Sequence, residues 1–296
     1  MPLLDILTVT GFGFGAALSV ILFSLSMQRA PKRFVDLAFG ILFLSIILWF
    51  GGNFLAVLIN LLFGAVAASQ VRLLTIIAYL GLSVTPSSLL HIQSANLLYS
   101  EQSERLKKRQ IAAVAALYLP TIVFIISYAG RFFKLFAALP GRSSHISKPF
   151  LLWMLICIVA SVAFSEKLTR TLKHGSDRRF YRDISYVLAL IGVGVTLIYI
   201  FSFYRLPYIG PYLDLLMLLS PALPLGVLLY YVYRYNFYRL VIKPSFVYSI
   251  LYGLLMAAYL LGVRRVGDYL KQFPEVNAEL IEGLLLIALV FVFQPF

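Results

Sequence analysis

Long apolar runs alternate with short polar connectors along the whole chain. Apolar stretches of about 20 residues suit helices that cross a bilayer. Nine are read, at 5–26, 34–61, 73–99, 111–129, 150–166, 184–203, 212–232, 246–262 and 279–295. Barrel strands would instead alternate over segments of about ten residues. Lipid excludes open loops and sheet edges, so helices must do the spanning. The pattern predicts an all-α integral membrane protein: a polytopic helical bundle of about nine transmembrane helices, with eight as the alternative count. No internal repeat is evident, so residues 1–296 read as one membrane-embedded domain, without the inverted repeats of many transporters.

The connectors add an orientation. MQRAPKR, EQSERLKKRQ, the stretch from Glu166 to Asp183 and YRYNFYRLVIKP fall on one side and carry 16 of the 25 basic residues. The other side carries nine. The richer side is expected in the cytoplasm, with the N-terminus outside and the C-terminus inside. The longest outer connector, residues 130–149, spans only 20 residues, so any signal is expected to be sensed within or at the face of the helices.

Composition strengthens the class and removes rivals. The chain is 61% hydrophobic and 12% charged, with a mean hydropathy of +0.91. The net charge of +13 fits cytoplasmic loops and needs no nucleic-acid partner. A single cysteine, Cys157, excludes an internal disulfide and reads as packing. Met1–Asp5 lacks a basic region, so no cleavable leader is evident and the first span is expected to be retained.

Polar residues inside the spans are the functional candidates. The third span holds Thr85, Pro86, Ser87, Ser88 and His91, with Gln93 and Asn96 beyond. Pro86 is expected to kink the helix, and the three hydroxyls to satisfy the freed backbone groups. Gln93 and Asn96 are expected in the cytoplasmic headgroup zone. His91 stands at its border, either lining a polar pocket or relay, or packing at the interface. Asp36, Asp214 and Glu282 fall near span ends and read as interfacial, whereas Asn53 lies deeper and is a pocket candidate. Pro221 and Pro224 must bend or loosen the seventh span, as a ligand site, as a hinge or to fit curved packing.

The exit from that span, with Tyr233, Arg234, Tyr235, Arg239 and Lys243, reads as an interfacial anchor on anionic lipid. His145 and His174 lie in connectors on opposite faces, so no metal site is expected. Gly11, Gly13 and Gly15 lack the strand and spacing of a nucleotide loop. Gly11 and Gly15, four apart, suit close helix packing, with a dimer face as one use. No Walker loop, HExxH or GxSxG occurs, so no catalytic residue is named.

Several stretches together resemble the multi-span N-terminal sensor region of bacterial membrane histidine kinases, the group named for a seven-helix N-terminal region. Pro86-Ser87-Ser88-Leu89-Leu90-His91 resembles that group's proline followed by Leu-His, and Tyr118-Leu119-Pro120 its Tyr-x-Pro. Phe180-Tyr181-Arg182-Asp183 is similar to its loop between the fifth and sixth spans. Leu223-Pro224-Leu225 leading into residues 232–240, and the closing Phe293-Gln294-Pro295-Phe296, resemble its exits from the membrane. The likeness runs over most of 75–296.

The resemblance implies an input region in the bacterial cytoplasmic membrane, working as a homodimer and signalling through its last span. Its output would be a histidine kinase beyond Phe296, which would use ATP and Mg and reach a response regulator. These 296 residues hold no phosphoacceptor helix or ATP-binding motif, so no cofactor is expected within them. The alternatives are a small-solute transporter or channel, the membrane anchor of a cyclase or phosphatase, and a membrane enzyme acting on lipids. A transporter would need charged residues at mid-depth, and few occur.

Overall fold

The computed structural model describes residues 3–27, 34–63, 68–100, 116–123, 125–126, 148–172 and 175–235. The spans read at 246–262 and 279–295 lie outside the described residues, as do His145, His174, Arg239, Lys243 and Glu282. Among the described residues every regular element is helical and none is a strand.

In chain order the helices are α1 (Leu3–Met27), α2 (Phe34–Phe63), α3 (Ala68–Ser100) and α4 (116–123). Then come α5 (Lys148–Thr171), α6 (Gly175–Val195), α7 (Gly210–Leu219) and α8 (Ala222–Tyr235). A π-turn (Thr196–Ile200) ends α6, and a 3-10 turn (Phe203–Arg205) leads to α7. Five of the helices are long and apolar enough to cross a membrane, or six spans if the α7–α8 pair counts as one.

The apolar faces point both ways. Phe12, Leu22, Trp49, Phe50, Leu168 and Leu225 fill the interior. Leu37, Leu44, Leu73, Leu152, Val159 and Leu190 stand exposed on the outside. A water-soluble bundle would put polar residues there; a lipid-facing one has no reason to. The polar groups are gathered inward instead: Ser45, Asn53, Thr75, Ser83, Ser87, His91 and Gln93 are all buried. With lipid outside, such groups find partners only among neighbouring helices or their own backbone.

The most intimate pair is α2 with α3. Gly52 faces Leu74 and Ala78, and Gly81 faces Ser45 and Trp49, so the two helices run antiparallel. α1 packs on α2, α5 on α6, and α3 joins the two pairs through α5. α8 closes the bundle against α6 and α1. Gly11 and Gly15 are used inside the chain: Leu219 of α7 lies over Gly11, and the Phe50 ring over Gly15.

One expectation changes. The stretch from Glu166 to Asp183 is mostly helix, with α5 continuing to Thr171 and α6 starting at Gly175. Its charges occupy one face, with Arg178, Arg179 and Arg182 exposed, while Phe180, Tyr181 and Ile184 are buried. The seventh span is bent as its prolines require, by 42° between Gly210–Leu219 and Ala222–Arg234.

Candidate functional site: the proline-broken core

The bend has a clear backbone cause. Pro221 and Pro224 have no N–H to give to the carbonyls of Met217 and Ser220, four residues earlier. Those carbonyls accept instead from the N–H groups of Ser220 (3.1 Å) and Leu223 (3.0 Å), each three residues on. The Leu218 carbonyl, which a straight helix would close on Ala222, accepts from Trp49 Nε1 of α2 at 3.0 Å. Trp49 is buried and stacks edge-on with Phe12 of α1 (6.1 Å) and Tyr79 of α3 (5.7 Å). One indole therefore ties the break to three other helices.

The structure brings the two sequence-predicted regions together. Thr85 and Leu89 of α3 meet Pro221 and Pro224 of the break, and all four line both of two adjoining cavities. The first cavity, of about 80 Å³, opens between α2, α3, α6 and α8 and is lined by Phe39, Gln93, Phe180 and Tyr181 among others. The second, of about 90 Å³, lies on the other side of the break, against Trp49, Pro86, Ile191, Tyr199 and Met217. Among the described residues neither lining includes a charged side chain. The π-turn that carries Tyr199 borders the second cavity; such turns widen a helix locally and recur at functional sites.

The other candidates are placed as follows. Thr85 donates to the Gly81 carbonyl (3.0 Å) and lies 3.3 Å from Ser45 Oγ of α2. Ser88 donates to the Thr85 carbonyl at 2.9 Å. Ser87 turns away from its own helix, to the Leu117 carbonyl (2.8 Å) and Thr121 Oγ1 (2.7 Å) of α4. Thus only two of the three hydroxyls return to the α3 backbone, and α3 continues as one helix through Pro86. His91 is 2% exposed, with Nδ1 at 3.2 Å from Tyr118 Oη and the two rings edge to face. Asn53 is buried, but its amide is spent on the Trp49 carbonyl (2.8 Å), and it lines neither cavity.

At the α8 exit Tyr233 and Arg234 are exposed, as interfacial anchors require. Tyr235 ends α8, and its side chain lies outside the described residues.

Four residues matter more than the sequence alone indicates: Trp49, Gln93, Asp183 and Tyr231. Tyr231 of α8 donates to Asp183 of α6 at 2.6 Å, with Phe180 stacked beside it at 5.3 Å. Gln93 lies on the face of α3 that carries Thr85 and Leu89, at the four-residue spacing of one helix face; that spacing was the available signal. At the opposite end Tyr199 donates to Asp214 at 3.0 Å, linking the π-turn to α7. No group of three or more His, Cys, Asp or Glu side chains gathers among the described residues.

The sequence matches no family model, and no curated protein is significantly similar to it. The fold and the site define a multi-pass helical membrane protein with a proline-bent core.

Proposed function

We propose that the chain is the membrane-embedded input region of a two-component sensor histidine kinase in a bacterial cytoplasmic membrane. One observation carries the reading. The stretches that resemble that group meet in pairs: His91 with Tyr118, and Asp183 with Tyr231, which directly precedes the exit stretch 232–240. The helices that carry His91 and Tyr231, α3 and α8, both line the two cavities at the bend. A signal that alters how α8 packs on α6 and α1 would shift the chain leaving the membrane after Tyr235. Small helix shifts of this kind are how such elements switch. The uncharged linings count against the transporter or channel, because an ion or polar solute needs compensating groups along its path.

The full topology would be nine spans, with the N-terminus outside and the C-terminus cytoplasmic. The two-sided count has support, since the start of α2, the later half of α3 and the start of α6 all contribute to the Gln93 cavity. Those helix ends lead into three of the basic connectors. The chain would act as a homodimer, with ATP and Mg serving only a kinase part beyond Phe296, and with a response regulator as partner.

The reading is tested on the coding sequence downstream of Phe296. It is expected to continue into a helix bearing a phosphoacceptor histidine and then an ATP-binding domain. A stop codon directly after Phe296, or a cyclase or phosphatase module there, would refute the kinase output. Reporter fusions after Lys108 and Arg178 should register as cytoplasmic, and those after Ser143 and Gly267 as external.

A further inference from the structure

We propose that the cavity beside Gln93 binds an uncharged, mainly apolar small molecule that carries one hydroxyl group. Gln93 is 3% exposed, and its Oε1 is buried with no hydrogen-bond partner. A buried amide left in that state costs stability, and an apolar residue at this position would avoid the cost. Of the other polar lining residues described, Thr85 donates to the Gly81 carbonyl and lies 3.3 Å from Ser45 Oγ, and Tyr181 makes an interaction of its own. Among the described lining residues, Gln93 Oε1 is the buried polar atom left to recognise a ligand.

The cavity sets the rest of the chemistry. Its remaining walls are Phe39, Leu42, Ile46, Leu225, Leu228 and similar apolar residues, so the body of the ligand is apolar. No charged side chain among the described residues lines it, so an ion would be stranded in a low-dielectric site. Water is a poor occupant, because each buried water needs 2–4 polar partners and this space supplies one orphan amide. At roughly 10–15 Å³ per water position, the space of about 80 Å³ suits about five to eight heavy atoms. A primary amide presents an acceptor and donors, and a hydroxyl, which is both, pairs with either face of it. Ser161 and Ser165 of α5 also have buried hydroxyls without partners, but they line neither cavity. Such hydroxyls need only rotate onto their own helix carbonyls.

The assignment rests on the sensor reading only for its purpose. Binding is measured without any output, so either idea can fail while the other stands. The 296-residue chain in phosphatidylcholine nanodiscs is photolabelled with a diazirine analogue of butan-1-ol, and in parallel with the matching diazirine alkane. The alcohol is expected to label peptides spanning Leu89–Gln93 and Leu225–Leu228 at least fivefold more than the alkane. Gln93→Leu should bring the alcohol down to the alkane's level. In thermal unfolding, ligand-free Gln93→Leu should melt above the parent chain, and butan-1-ol should raise the parent's midpoint but not the variant's. Equal labelling by alcohol and alkane, or undiminished labelling of Gln93→Leu, overturns the proposal. So does a variant that melts lower or fails to fold, since the amide would then be serving the fold itself.

Discussion

Where α2 meets α3, backbone lies on backbone; where α6 meets α7 and α8, cavities, a π-turn and the end of the Met217 side chain intervene. On the first side, a Cβ at Gly52 would sit 2.9 Å from the Leu74 carbonyl oxygen, and one at Gly81 would strike the Ser45 oxygen and the Trp49 nitrogen. On the second, a Cβ at Gly194 would meet only the Met217 methyl and sulfur, at 2.8 and 2.9 Å, and one at Gly226 would meet nothing within 4 Å. The first contact is between parts that cannot yield without moving a whole helix. The second is between parts that rearrange one torsion at a time. A bundle needs the first kind of contact as a frame and the second wherever it must change shape.

The sharpest way to break this contrast is to make one substitution on both sides. Gly81→Ala is expected to cost about 3 kcal/mol, at the upper end for overpacking, because a backbone carbonyl cannot step aside. Gly194→Ala should be near neutral. The Met217 thioether is flexible enough to withdraw, and alanine gains up to about 1 kcal/mol of helix propensity over glycine. Denaturant unfolding of the two variants in one detergent decides the matter. Equal losses at both positions would erase the distinction between frame and hinge.

The next effect tests the link between the two sides. Trp49→Phe keeps an aromatic ring against Phe12 and Tyr79 but removes the donor to Leu218, the carbonyl exposed by the bend. Leaving that buried carbonyl unpaired is expected to cost about 2 kcal/mol. The loss should be local: backbone amides of residues 218–224 should exchange faster with deuterium than in the parent chain, while those of α2 and α3 keep their protection. Faster exchange spread evenly over the bundle would mean that the indole is a general core residue and not a clasp on the break.

Much of the frame was legible from hydropathy, because span length is set by the bilayer. The first two spans, read at 5–26 and 34–61, are observed at Leu3–Met27 and Phe34–Phe63. The bend at Pro221 and Pro224 was legible too, since a missing N–H is a local fact. The two proline regions were picked out singly, but their meeting depends on a fold that brings α3 and α8 together across more than a hundred residues. The start of α6 was missed for a different reason. Its charges lower the mean hydropathy and made it read as a connector, although Phe180, Ile184, Leu188, Ile191 and Val195 keep a three- or four-residue spacing that marks one helical face. Gln93 was expected among headgroups from its depth along the helix, and the structure adds that its side chain is buried. Depth along a helix says nothing about which way a side chain faces.

The smallest expected effect lies at the hinge's free end. Tyr231 donates to Asp183 at 2.6 Å and joins α8 to α6 one helical turn before α8 ends. The carboxylate is 38% exposed and also lies 3.3 Å from Arg182 Nε, so water and a neighbouring cation dilute the bond. Tyr231→Phe, which keeps the ring against Phe180, is therefore expected to cost only about 1 kcal/mol. Asp183→Asn should cost a similar amount, and the double variant little more than either alone, because both remove the same contact. Strict additivity in that cycle would show that the two residues do not act as a pair. The hinge reading adds a second measurement. Spin labels replacing Tyr186 and Tyr233, both exposed, should report a broader α6–α8 distance distribution in Tyr231→Phe than in the parent. A small loss of stability with a clear gain in breadth marks a latch on a movable helix. The same loss with an unchanged distribution would make α8 part of the rigid frame, and the contrast with α2–α3 would end there.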